Sequence, residues 1–112
     1  MVRVVKANGD LALLIDQRDS SGSLINFFNK KAFASEGFAG LAIKYKAMIC
    51  PVYSIRNKDG SFEIIFDKPL EFNEFKNLNP KELVQKIYLD YLEKWIIKNP
   101  EQWLWAHERW RI

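Results

Sequence analysis

The sequence predicts an α/β fold, and three observations predict it. Short apolar runs with strand character lie near residues 11–16, 47–55 and 61–67. Segments with apolar residues at helical spacing lie near 36–46 and 80–98, with a further helical start opening 100–111. The two kinds alternate along a chain of 112 residues, which has room for one domain. The expected architecture is a single domain over 1–112, a partial mixed sheet with flanking helices.

Leu11–Asp16 (LALLID) is a continuous apolar run between Asn8-Gly9-Asp10 and Gln17–Gly22, as expected of a strand buried on both faces. Asp19–Gly22 reads as a loop, and Leu24–Phe28 as a short strand or an apolar loop folding back. Ser35 and Glu36 open a helix whose face carries Phe38, Leu41, Ala42 and Tyr45. Ala47–Ile55 is strand-like, with Pro51 marking an edge or an interruption. Asp59-Gly60 turns the chain, so Ile49–Ile55 and Phe62–Phe66 form a hairpin with one buried face. Asn79-Pro80-Lys81-Glu82 is a helix start, with Leu78 and Leu83 spaced as a staple. Leu83, Ile87, Tyr91, Trp95 and Val84, Tyr88, Leu92, Ile96 make one broad apolar face. Asn99-Pro100-Glu101-Gln102 repeats the start grammar.

Composition narrows the chemistry. The chain is 48% hydrophobic and 28% charged, with five Gly and four Pro, which excludes disordered and low-complexity classes. Cys50 is the one cysteine, so neither an internal disulfide nor a multi-cysteine metal site is available, and no cofactor is indicated. Its place in a strand predicts an inert core thiol. His107 is the one histidine. A His base oriented by a carboxylate five positions on would need Asp or Glu at Ile112, so no catalytic residue is assigned. A net charge of +3 without a basic stripe gives no reason to expect nucleic acid. No run approaches the roughly 18 apolar residues of a membrane span.

Two clusters stand out. Asp16-Gln17-Arg18 follows the end of an expected buried strand, where open α/β sheets bind ligands. A carboxylate, an amide and a guanidinium there suit an ester or a phosphate, and a solvated loop is the plain alternative. Three of the four Trp fall in the last ten residues, in Trp103-Leu104-Trp105-Ala106-His107-Glu108-Arg109-Trp110-Arg111. Trp103, Trp105, Trp110, Arg109 and Arg111 suit either a helix packed onto the domain or an interfacial helix, with rings at headgroup level and cations on acidic phosphates. Lys30-Lys31 and Lys44-Tyr45-Lys46 read as solvated basic pairs.

An ordered set of motifs resembles the bacterial lipid A biosynthesis (lauroyl/myristoyl) acyltransferases, in their C-terminal portion. The set is Ile15-Asp16-Gln17, Phe27-Phe28, Gly37 with Leu41-Ala42-x-Lys44, Pro51-Val52, Asp59-Gly60-Ser61-Phe62, Pro69-Leu70-Glu71 and Pro100-Glu101-Gln102-Trp103-Leu104-Trp105-x-His107-x-Arg109-Trp110. The last string is long and specific. One departure is Asn29, where the family usually has Gly.

The resemblance implies a glycerolipid-acyltransferase-like fold, and transfer of a fatty acyl chain from acyl carrier protein to a hydroxyl of a lipid A precursor. It places Asp16 and Gln17 beside the substrate cleft, with Pro51-Val52 shaping it. It also implies a peripheral setting on the cytoplasmic face of the inner membrane. The family's N-terminal anchor and His-x4-Asp/Glu motif are not in this sequence. The chain is therefore expected to be inactive alone and to need an N-terminal acyltransferase segment in trans. The alternative is a non-catalytic, membrane-peripheral binding module derived from the same fold.

Overall fold

In the computed structural model, which describes residues 2–103 and 109–110, the first sheet is a long hairpin. Strand β1 (Arg18–Phe27) pairs antiparallel with β2 (Lys30–Ala34). Phe28 and Asn29 form the two-residue turn, with φ of 51° and 62°. Positive φ at both positions suits the right-handed twist of a hairpin. Asn29 is at home there, so the absence of Gly leaves the turn intact. Phe28 is not, and its N–H is held by the Glu93 carboxylate at 3.3 Å.

Arg18 and Ser23 both register with Ala34, so β1 bulges between them. Gly22 makes the bulge feasible, because a Cβ there would sit 1.9 Å from the Ala34 carbonyl oxygen. Asp19–Gly22, read above as a loop, is therefore strand, held by a local device the composition does not distinguish from a turn. Ile25, Phe27, Ala32 and Ala34 are buried on the inner face of this hairpin.

Helix α2 (Gly37–Lys44) buries Ala39 and Ala42. Its N-cap is Glu36 rather than Ser35, and makes no side-chain capping bond. The second sheet is the expected hairpin in a shorter form, β3 (Val52–Arg56) with β4 (Phe62–Phe66), but the buried face expected of it is at most half-buried and its other face is exposed. The strand expected from residue 47 begins only at Val52. Ile49 instead forms a two-way backbone bridge with Leu70, and Pro51 accepts from the Asp67 N–H. Proline has no N–H to give a ladder, which explains the late start. Cys50, expected in the core, is exposed, whereas Pro51 is buried.

Helix α3 (Phe72–Phe75) buries Phe75. Helix α4 (Pro80–Ile87) starts as its sequence predicts: Asn79 accepts from the Glu82 N–H at 2.8 Å, and Glu82 accepts from the Asn79 N–H at 3.0 Å. The helix continues through one π-helical segment, Tyr88–Leu92, into α5 (Glu93–Lys98). Leu83, Val84, Ile87, Tyr88, Leu92 and Ile96 are buried, so the predicted apolar face is the inner face. At the start of the helix expected over 100–111 the chain forms a 3₁₀ turn, Pro100–Gln102, and Trp103 is extended; residues 104–108 and 111 of that stretch lie outside the described residues. Trp105, His107 and Arg111 are among them.

The α/β class is therefore correct, realised as two separate two-stranded antiparallel sheets with helices against them. The mixed sheet does not form because the run at 11–16 is not a strand. A strand buried on both faces needs a neighbour on each side, and neither described sheet pairs with this run. Leu11, Leu13 and Leu14 are exposed, Leu14 at 84%. A short helix α1 (Val2–Lys6), not foreseen, precedes it. No described helix is long and apolar enough to cross a membrane.

Candidate functional site

Phe27, at the end of β1, is fully buried and organises the site. Trp110 stacks on its ring at 5.1 Å, and Tyr88 and Trp103 meet it edge-on at 5.1 and 6.0 Å. The Trp110 indole N–H donates to the Phe27 carbonyl at 2.9 Å. Edge-to-face and offset rings add roughly 0.5–1.5 kcal/mol per pair beyond the area they bury.

Arg109 enters this cluster from the C-terminal residues and is fully buried. Its guanidinium carbon lies 5.3 Å from the Tyr88 ring centroid and 5.7 Å from that of Phe27. Its Nε donates to the Asp16 carbonyl at 2.8 Å, its Nη1 to the Phe33 carbonyl and its Nη2 to the Tyr88 hydroxyl. The Tyr88 hydroxyl in turn donates to the Ile15 carbonyl at 2.5 Å. Burying a charge costs several kcal/mol. Hydrogen bonds from a charged donor contribute about 1.5–3 kcal/mol each, and ring faces add to them, which offsets that cost. Burial pushes the Tyr88 phenol above its ordinary value, while Arg109 opposes the rise and the nearby Asp16 carboxylate adds to it.

These bonds fix the main chain of Ile15–Asp16, although the run before it has no regular structure. Asp16 is half-buried, Gln17 is exposed, and Arg18 lies against the Phe33 ring at 5.7 Å. The cluster thus holds the backbone that carries the Asp16 carboxylate, with the exposed Gln17 next in sequence. Pro51 belongs to the root of the β3–β4 hairpin, where its carbonyl holds Asp67. Trp103, Trp110 and Arg109 are packing groups around Phe27. Tyr88 was not singled out by the sequence as a site residue, although a hydroxyl on an otherwise apolar helix face is a signal that a buried partner awaits it.

Two glutamines perform a matched task at the sheet edges. Gln85 bonds both the N–H and the carbonyl of Asn26, each at 2.8 Å, tying α4 to β1. Gln102 bonds the N–H and the carbonyl of Arg56 at 3.1 and 2.9 Å, tying the 3₁₀ turn to β3. Stacking of Tyr53 on Trp95 at 4.3 Å completes the second attachment. Among the described residues, no three His, Cys, Asp or Glu side chains gather as a metal site requires.

Comparison with known proteins agrees with the resemblance. The profile of the family described as bacterial lipid A biosynthesis acyltransferase matches residues 1–112. No curated protein matches the chain.

Proposed function

Because this chain belongs to the bacterial lipid A biosynthesis acyltransferase family, we propose that it supplies the Asp16-Gln17 side of a substrate cleft in an enzyme that transfers a fatty acyl group from acyl carrier protein to a hydroxyl of a lipid A precursor. The observation that carries the reading is the clamp of Arg109 and Tyr88 on Ile15 and Asp16. It spends buried polar groups on fixing one loop that carries a family motif, and positioning of that kind is worth large factors in catalysis.

Acylation of a hydroxyl needs a base to take its proton, and the sequence holds no His-x4-Asp/Glu pair to supply it. Its single histidine has Ile112 where the orienting carboxylate would stand. The base comes from a companion acyltransferase segment carrying His-x4-Asp/Glu, and the chain is inactive without it. Catalysis takes place at the cytoplasmic face of the inner membrane, with the protein attached peripherally.

An assay of the chain by itself tests this. Acyl transfer from acyl carrier protein to a lipid A precursor is expected to be undetectable, while circular dichroism shows a folded protein. Turnover comparable to a full-length family member would overturn the reading and demand another base. A second reading, a membrane-peripheral module without chemistry, is favoured by one observation, the exposed apolar face of the β3–β4 hairpin.

A further inference from the structure

The β3–β4 hairpin has two unlike faces. Val52, Ser54 and Arg56 stand opposite Phe66, Ile64 and Phe62, so these six side chains share one face. The other face carries Tyr53, Ile55 and Ile65, half-buried, with Tyr53 on Trp95. The first face is left uncovered: Phe62, Ile64 and Phe66 are 66%, 64% and 68% exposed. An apolar ridge of this kind on a protein surface marks a contact site rather than a neutral surface.

Cations stand at both ends of the ridge. Arg56 and Lys58 are exposed at its turn end, and Lys68 is exposed just past its open end. None of the three forms an ion pair among the described residues. Of the nearby carboxylates, Asp59 keeps its charge beside Lys58 at the turn, while Glu63 and Asp67 lie off the ridge face. Asp59 accepts from the Ser61 N–H and hydroxyl, Asp67 accepts from the Trp95 indole N–H, and Glu63 registers with Ile55 on the opposite face.

We infer that this face of the β3–β4 hairpin docks onto an anionic lipid surface, Phe62, Ile64 and Phe66 entering the acyl boundary while Arg56, Lys58 and Lys68 meet the headgroups. The hairpin face alone is small for a stable protein interface. Two strands of five residues present a face of roughly 17 Å by 10 Å. A standard protein interface needs about 800 Å² from each partner. A second copy would also bring its own Arg56 and Lys68 toward those of the first, with only the turn carboxylate Asp59 to meet them. A bilayer needs no matching area, and anionic headgroups are complementary to these cations. The inference rests on the peripheral membrane setting proposed above but not on acyl transfer. It places the contact on the hairpin, while Trp103, Arg109 and Trp110 pack around Phe27.

The test is flotation of the full chain with vesicles of phosphatidylglycerol and phosphatidylethanolamine, beside vesicles of phosphatidylcholine alone. The expected result is binding to the anionic vesicles, at least ten-fold weaker for Phe62→Ser/Ile64→Ser/Phe66→Ser, with unfolding temperature unchanged because these side chains are exposed. Arg56→Gln/Lys58→Gln/Lys68→Gln is expected to abolish the preference for anionic vesicles. A dye on Ile64→Cys in a Cys50→Ser background reports insertion as a fluorescence rise, independently of the serine variants. Binding by wild type that the serine variant retains in full, with no rise from the dye, overturns the hairpin as the contact while leaving peripheral attachment standing. No vesicle binding by wild type overturns both. A dimer in sedimentation equilibrium that the serine variant dissolves would give the face to a second copy instead.

Discussion

Arg109 and Tyr88 share a hydrogen bond in the protein interior, from the guanidinium Nη2 to the phenol oxygen, and the phenol hands its own hydrogen to the Ile15 carbonyl. A cation and a hydroxyl thus donate in sequence to a main-chain carbonyl acceptor, with a second guanidinium nitrogen donating to the Asp16 carbonyl. The site loop owes its position to residues more than seventy positions away in sequence.

Tyr88→Phe keeps the ring packing and removes both bonds of the hydroxyl. It is expected to lower stability by about 1–3 kcal/mol, the cost of leaving buried polar groups unsatisfied, read from the denaturant midpoint. The same variant alters the alkaline limb. The phenol is held above its ordinary 10.0 chiefly by burial. Above pH 10 the unfolded chain loses a proton that the folded chain keeps, so this contribution is complete below pH 10 and is lost as pH rises through the folded value. Tyr91 and Lys86 are also raised, so wild type is expected to lose stability there, and Tyr88→Phe to lose less. Equal slopes would mean the phenol is solvated.

Gly22→Ala tests the bulge. The added carbon would meet the Ala34 carbonyl at 1.9 Å, and backbone cannot yield as a flexible side chain does. A loss of at least about 3 kcal/mol is expected, at the upper end of overpacking costs. A change in melting temperature of under a degree would show that β1 runs differently.

Trp103→Ala separates packing from interfacial duty in the C-terminal segment. The ring is half-buried and meets Phe27 edge-on, so a loss of about 2 kcal/mol is expected, below the range for a fully buried Trp. Vesicle binding by the folded fraction should persist. An unchanged melting temperature with lost vesicle binding would reverse the assignment.

Asp16→Asn bears on the site itself. Its main-chain bond to Arg109 does not involve the carboxylate, so unfolding should shift by less than about 1 kcal/mol, as for changes away from buried networks. In an active assembly with a companion segment, turnover should fall ten-fold or more, because positioning effects are large. Loss of fold and turnover together would make Asp16 architectural.

The parts legible in the sequence are those set by local chemistry. Asn79-Pro80-x-Glu82 names a helix start because its capping bonds close within four residues. Asp59-Gly60 names a turn because Gly60 takes φ of 90°. The parts that were not legible depend on partners. Leu11–Ile15 has strand composition and no strand beside it. The hairpin's alternation shows two faces but not which one meets Trp95, so the exposure of Phe62, Ile64 and Phe66 follows only from tertiary placement. Asp19–Gly22 looks like a loop because the bulge that makes it strand is a relation between Gly22 and Ala34. Arg109 reads as a surface cation until Phe27, Tyr88 and two carbonyls are found around it.

The central claim is that this chain provides one side of an acyltransferase cleft and depends on another segment for its base. The most direct measurement is acyl transfer from acyl carrier protein to a lipid A precursor by this chain mixed with a companion segment carrying His-x4-Asp/Glu. Each component is also assayed alone at matched concentration. Transfer is expected from the mixture and from neither part, and should disappear when the companion's motif histidine is replaced by alanine. Transfer by the companion alone at the rate of the mixture, or by this chain alone, would contradict the account.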